Sequence, residues 1–181
     1  MVIFFGPAGS GKSVQGQILA ARMGWRWLSM GQLLRDAHDV ELVKTMHEGG
    51  LVSDDKTLEV LGNTLDRLSD AKSVILDGFP RNIKQAKWLI DNQSTSDNPI
   101  GLAIVLEVPR AELMHRLELR GRADDTSDAI NERLINYRKE IYPILNYFTE
   151  QGVRISHIDG TGTVGQIHDR ITEEISSCSI T

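Results

Sequence analysis

The residues Gly6-Pro7-Ala8-Gly9-Ser10-Gly11-Lys12-Ser13 carry the most specific chemistry in the chain. They form a G-x4-G-K-S phosphate loop, placed after the apolar run Val2-Ile3-Phe4-Phe5 and before the helix-compatible Val14-Gln15-Gly16-Gln17-Ile18-Leu19. Glycines let the backbone curl until successive N–H groups face one anion, and a following helix adds the positive end of its dipole. Lys12 is expected to reach the β and γ oxygens of a bound triphosphate, and Ser13 is the natural candidate for Mg2+. By itself such a loop is compatible with a GTPase, an ATPase, a small-molecule kinase or a nucleotide sensor.

A second polar group closes the apolar run Val74-Ile75-Leu76, where Asp77 stands at a strand end and can meet the metal shell of a triphosphate. Gly78 and Pro80 make the turn that follows. Thirteen of the twenty basic residues are arginine, whose planar fork suits bidentate phosphate contacts. Arg22, Arg26, Arg67, Arg138, Arg154 and Arg170 are read as solvated helix-face or surface charges. His38, His47, His115, His157 and His168 show no metal-ligand spacing and no neighbouring nucleophile motif, so they are read as surface or packing residues. Trp25, Trp27 and Trp88 are read as core or boundary aromatics.

These groups need a frame, and the apolar pattern supplies one. Val2–Phe5, Val74–Leu76, Leu102–Leu106 and Val153–Ile158 read as buried strands. Helices are expected at about 13–23, 30–48 with a break, 54–68, 82–92, 110–120, 127–150 and 163–177, with start signals at Ser53-Asp54 and Thr126-Ser127-Asp128. Pro143 is expected to bend or divide the long later helix. The polar stretch from Asp91 to Pro99 reads as a surface loop. Alternating strands and helices predict an α/β fold, a mainly parallel sheet covered on both faces in three layers, in one domain over 1–181.

Bulk properties narrow the partners. A net charge of −5 and a pI near 5.5 argue against a general nucleic-acid surface, which needs a strongly basic face. A lone Cys178 excludes an internal disulfide and a multi-cysteine zinc site, and the four-residue apolar start is far short of a signal peptide or a membrane span. A soluble cytoplasmic protein is the expectation, and it is taken as a monomer.

Asp77-Gly78-Phe79-Pro80-Arg81, with Gln85 four residues on, resembles the hallmark of the adenylate kinase family. Other segments agree in order. Ser29-Met30-Gly31-Gln32-Leu33-Leu34-Arg35 resembles the start of that family's acceptor-binding insertion, and Gly49-Gly50-Leu51-Val52-Ser53-Asp54 its end. Arg120-Gly121-Arg122-Ala123-Asp124-Asp125 and Arg133 resemble the lid and its flank.

The resemblance implies a P-loop kinase fold with a monophosphate-binding insertion at 29–58 and a short lid at 119–126. It implies reversible phosphoryl transfer from MgATP to AMP, giving two ADP. ATP phosphates would lie on Gly9, Ser10, Gly11, Lys12, Ser13 and Val14, with Arg120 from the lid and Arg116 helping to hold the donor. AMP phosphate would meet Arg35 and Arg81, and Arg122 and Arg133 would bridge toward the transferred group. Met30, Gly50, Leu51, Val52, Gly78, Phe79 and Pro80 would line the acceptor pocket, and Gln85 would read the adenine edge. The turn Asp159-Gly160-Thr161-Gly162 would touch the ATP adenine, and Ser13 and Asp77 would hold Mg2+, directly or through water. Because phosphoryl transfer asks mainly for alignment and charge stabilisation, no side-chain nucleophile is assigned.

The chain departs from the family pattern in three places. Ser13-Val14 stands where the family usually has Gly-Thr after the lysine, and Met30 and Gln32 stand where it usually has a small hydroxyl residue and an acid. Only Gly121 separates Arg120 from Arg122, without the cysteines of a zinc knuckle, so no structural zinc is expected. Two alternatives follow. A UMP/CMP-type kinase is suggested by Asn82 after Pro80-Arg81, although Gln85 favours AMP, and Met30 and Gln32 keep open a nucleotide-sensing module with weak turnover.

Overall fold

Alternation along the strands decides the layers. In β1 (Val2–Phe5), Ile3 and Phe5 face one side of the sheet while Val2 and Phe4 face the other, and all four are buried. A strand apolar on both faces must be covered on both. The structure, a computed structural model, describes residues 1–37, 52–68, 73–93, 99–120 and 127–178.

After β1 come α1 (Lys12–Met23), β2 (Arg26–Ser29), α2 (Met30–Asp36), α3 (Asp54–Asp66), β3 (Val74–Asp77) and α4 (Ile83–Gln93). The chain continues through β4 (Leu102–Glu107), α5 (Arg110–Arg120), α6 (Ser127–Glu150), β5 (Arg154–Asp159) and α7 (Val164–Ser177). The five strands pair in the order β2-β3-β1-β4-β5, every pair parallel. On one face Ile3, Phe5, Leu76, Ala103 and Val105 pack with Leu61 of α3, Ala86 and Leu89 of α4, and Ile144 and Phe148 of α6. On the other Phe4, Ile75, Ile104 and Ile158 pack with Leu19 of α1 and Ile167, Ile171 and Ile175 of α7. The α/β three-layer expectation is thus what the chain adopts.

Two elements differ from the sequence reading. β2 was not anticipated: it is a four-residue edge strand that opens on an exposed arginine and buries only Leu28 fully. Gly24 (φ 69°) ends α1, and the absence of a side chain at Gly16 lets Trp27 of β2 lie against α1, since a Cβ there would come within 2.9 Å of the indole. α6 runs unbroken through Pro143 rather than dividing. Pro143 and Lys139 are both exposed, so the carbonyl that loses its intrahelical partner can turn to water. Of the helix expected at 30–48, residues 38–48 lie outside the described segments, as do residues 94–98 of the expected loop.

A third apolar cluster matters for the site. Leu113 and Leu117 of α5 and Ile130 and Leu134 of α6 close on one another, with Ala8 of the phosphate loop against them.

Candidate active site

The loop after β1 is shaped by three glycines with positive φ: 152° at Gly6, 84° at Gly9 and 93° at Gly11. Space as well as conformation demands glycine at two of them. A Cβ on Gly6 would stand 2.5 Å from Ser10 Oγ, and one on Gly9 would stand 3.0 Å from Leu117 Cγ and 3.3 Å from the Leu113 carbonyl oxygen. The loop therefore rests directly on α5. Ser10 is fully buried, and its N–H donates to the Pro7 carbonyl at 3.2 Å. Lys12 arches back over the curl, its ammonium donating to the Pro7 carbonyl at 2.9 Å.

α1 begins at Lys12 with a left-handed glycine as N-cap and no side-chain cap, so the N–H groups of its first turn face the loop's mouth without a competing side chain. Ser13 Oγ donates to Asp77 Oδ2 across 2.5 Å. Asp77 is the last residue of β3, 4% exposed, and stands in register with Phe4 of β1 and Ser29 of β2. Val14, the departure at the end of the loop, is 48% exposed, so no core contact explains its presence there. Serine and aspartate oxygens are the hard donors Mg2+ selects, and Mg2+ commonly keeps few protein ligands. Among the described residues no cluster of three or more His, Cys, Asp or Glu side chains could hold a metal, so a cation at Ser13 and Asp77 would depend on phosphate oxygens and water for its remaining ligands.

The neighbouring strand ends supply cations. β2 passes without a break into α2, which buries Met30 and Leu34 and turns Arg35 outward. Gln32, a departure from the resemblance, accepts from Arg35 Nη2 at 2.9 Å and donates to Asp36 at 2.8 Å, so its neutral amide holds the guanidinium. After β3, Gly78 takes φ 79° and the Phe79–Pro80 peptide is cis. Arg81 folds over this turn, its Nε donating to the Gly78 carbonyl at 2.9 Å. Partial loss of hydration lowers the pKa of the Arg81 guanidinium and the Asp77 carboxylate opposes that; the residue keeps an exposed surface and stays cationic.

Gln85 is buried at the start of α4 with its amide already engaged. Its Oε1 accepts from the Arg81 backbone N–H at 2.8 Å, and its Nε2 donates to Asp54 at 2.7 Å. The sequence reading gave Asp54 no such part. Phe79 is buried in the same core as Met30 and Leu76, edge-on to Trp88, and Val52 packs at the border of that core. Gly50 and Leu51 lie outside the described residues.

On the other side of the loop, Arg116 of α5 forms an ion pair with Glu112 at 2.7 Å and donates from Nη2 to the Gly160 carbonyl at 3.0 Å. That contact joins α5 to the turn after β5. The turn is fixed from several directions: Asp159 Oδ1 accepts from the Thr161 N–H and hydroxyl, Gly162 takes φ 99°, and Thr163 caps α7 reciprocally with Gln166. Arg170, which reads in the sequence as a solvated charge, donates to the Asp159 and Thr161 carbonyls at 2.8 and 2.7 Å. It is a loop-shaping residue, and only its position two turns into an amphipathic helix could have hinted at this.

Arg133 lies half-buried on α6, one residue before Leu134 of the cluster that carries the phosphate loop. Arg120 ends α5, and Arg122 lies outside the described residues, with most of the expected lid. The fold thus gathers Lys12, Ser13, Asp77, Arg35, Arg81 and Arg116 around the carboxyl end of the sheet, where ligands of open α/β sheets bind.

The family model described as "Adenylate kinase" matches residues 4–153. The adenylate kinase of Thermus thermophilus is 37% identical over 180 residues, covering 94% of each chain. That of Bacteroides fragilis is 34% identical over 186 residues, covering 97% of this chain and 98% of its own, and that of Mycobacterium ulcerans is 34% identical over 180 residues, covering 96% and 98%. A phosphate loop facing two arginines across one sheet edge, in a sequence that these relatives match almost end to end, makes this chain a member of the adenylate kinase family.

Proposed function

We propose that the protein transfers the terminal phosphoryl group of ATP to AMP, reversibly, giving two ADP. What supports this reading is a set of cations at the carboxyl end of the sheet: Lys12 in the phosphate loop after β1, Arg35 in the helix after β2 and Arg81 in the turn after β3. Two polyanions held head to head repel each other, and a row of fixed cations offsets that repulsion.

An AMP phosphate oxygen attacks the γ phosphorus in line as the bond to the β–γ bridging oxygen breaks, and the electron pair leaves with ADP. Lys12 and the loop amides hold the donor, Arg35 and Arg81 orient the acceptor, and Arg120, Arg122 and Arg133 carry charge on the transferred group. Arg116 and the backbone of Gly160 to Gly162 seat the donor base. Ser13 and Asp77 would hold Mg2+, directly or through water, and the ion would supply positive charge to the phosphates. Residues 29–58 form the acceptor insertion, with Met30, Gly50, Leu51, Val52, Gly78, Phe79 and Pro80 lining it and Gln85 reading the base. Residues 119–126 act as a lid that keeps water from replacing AMP. The enzyme works as a cytoplasmic monomer without structural zinc, and no described helix is long and apolar enough to cross a membrane.

A coupled assay of MgATP with AMP, GMP, UMP and CMP tests the proposal. AMP is expected to have the highest kcat/KM; a preference for UMP or CMP, or binding of both nucleotides without turnover, overturns it.

A further inference from the structure

The Gln85 amide is held at both ends, and the chemistry of its partners decides which way it faces. Oε1 accepts from the Arg81 backbone N–H at 2.8 Å, and Nε2 donates to Asp54 Oδ1 at 2.7 Å. That Asp54 oxygen also accepts from Asn82 Nδ2 at 2.9 Å, while Asn82 Oδ1 accepts from the Gln85 backbone N–H at 2.9 Å. Backbone N–H only donates, and an ionised carboxylate only accepts. Turning the amide over would set N–H against N–H at one end and oxygen against carboxylate at the other. Gln85 is 5% exposed, so water could not relieve either mismatch.

A primary amide keeps one further acceptor site on its oxygen and one further hydrogen on its nitrogen. With the polarity fixed, these are offered to a ligand in one order only: acceptor on the Arg81 side, donor on the Asp54 side. A 6-aminopurine presents an amino donor beside a ring-nitrogen acceptor and is complementary to that order. A 6-oxopurine presents a carbonyl acceptor beside a ring N–H and requires the reverse.

We infer that Asp54 is a specificity-positioning residue, locking Gln85 together with the Arg81 N–H so that the acceptor site takes 6-aminopurine monophosphates and rejects 6-oxopurine ones. The inference rests on the proposed role of Gln85 as the residue that reads the acceptor base. Asp54 acts without touching the nucleotide, and Asn82 braces it.

Inosine monophosphate is the sharpest probe, because it differs from AMP only in the 6-substituent and the proton on the adjoining nitrogen. In the parent the ratio of kcat/KM for AMP over IMP is expected on the order of 10^3 or more, as for sites built around a specific hydrogen bond. Asp54→Asn presents either an oxygen or an NH2 group to Gln85, so both amide orientations find a partner at that end. The ratio should fall at least about tenfold, chiefly through a gain for IMP. Asp54→Ser, whose hydroxyl also donates or accepts, serves if the first variant folds poorly, and calorimetric binding of AMP and IMP repeats the comparison without turnover. A folded variant that loses AMP and IMP activity in equal proportion, leaving the ratio at its parent value, overturns the inference while the AMP-kinase reading stands. A parent that does not phosphorylate AMP, or a Gln85→Ala variant that keeps the parent ratio, overturns the reading beneath it.

Discussion

Ser13 and Asp77 lie 64 residues apart in sequence and share a hydrogen bond of 2.5 Å, which ties the first turn of the phosphate-loop helix to the end of the neighbouring strand. One residue comes from the loop motif and the other from the strand that pairs with β1, so register rather than local sequence brings them together. Asp77→Asn keeps the shape of this contact and removes its charge. The magnesium concentration giving half-maximal turnover should rise about 10- to 100-fold, the usual cost of disturbing a metal's hydrogen-bonded surroundings. An unchanged magnesium titration would remove Asp77 from the metal's neighbourhood.

Lys12 is partly buried, with its ammonium donating to the Pro7 carbonyl and within reach of Ser10 Oγ. Lys12→Met therefore removes a cation aimed at the phosphates while keeping an aliphatic stem of similar length. Turnover should fall by roughly 10^2-fold or more, in the range for loss of a charge-stabilising donor, with the thermal midpoint close to the parent's. Steady-state kinetics beside a melting curve separates the two effects.

Gly16 offers a test of the fold rather than the chemistry. Alanine would gain about 1 kcal/mol of helix propensity, yet its Cβ would stand 2.9 Å from Trp27 Cδ1 and Nε1 and 3.5 Å from Ile75. Overpacking against a rigid ring costs about 1–3 kcal/mol, so Gly16→Ala should lower stability overall. The sign should reverse in a Trp27→Ala background, which a denaturant double-mutant cycle would detect.

How much was legible follows from where each signal lives. The phosphate loop, Asp77 and Arg81 stand in contiguous motifs, three strands announced themselves as runs buried on both faces, and β5 as an alternating one. β2 did not, because an edge strand opening on Arg26 has no such run, and it is held by its ladder with β3 and by the space that Gly16 leaves for Trp27. The same limit hid Asp54 and Arg170. Asp54 reads in the sequence as part of a helix start and Arg170 as a helix-face charge, and each acquires its part only when a turn from a distant segment arrives beside it. Gln32 was legible as a departure from a pattern, while its ability to hold Arg35 became apparent only in three dimensions.

His168 gives the stability a pH dependence. It is 4% exposed, with Nδ1 at 3.2 Å from Gln15 Oε1 and Nε2 unpartnered among the described residues. Burial lowers its pKa below the ordinary histidine value, nearby Arg22 lowers it further, and Asp169 opposes them. The folded protein thus holds this proton less readily than the unfolded chain, so stability is full above the unfolded pKa and declines as pH falls through about 6.5 toward the lower folded value. Thermal midpoints measured between about pH 7.5 and pH 5 should drop on the acid side, and His168→Gln should flatten that part of the slope. An identical slope in the variant would assign the acid sensitivity to other groups.

Arg170 tests whether the turn after β5 seats the donor. Its Nη1 donates to the carbonyls of Asp159 and Thr161, and its distance of 3.8 Å to Asp159 Oδ2 adds only a loose ion pair between exposed groups. Arg170→Ala would leave the Asp159–Thr161 hydrogen bonds and the Thr163–Gln166 cap in place, so the turn should persist with a less fixed backbone. Two hydrogen bonds from a charged donor are worth about 1.5–3 kcal/mol each in favourable burial. At this partly exposed position a loss of about 1 kcal/mol is the reasonable scale, since water can replace part of what is removed. If Gly160 to Gly162 contact the ATP base, that looseness should appear as a several-fold higher KM for ATP, with KM for AMP near the parent value because Arg35, Arg81 and Gln85 follow β2 and β3, on the far side of the central strand. Equal changes in both constants would mean that Arg170 acts through general stability, and no change in either would place the donor base elsewhere.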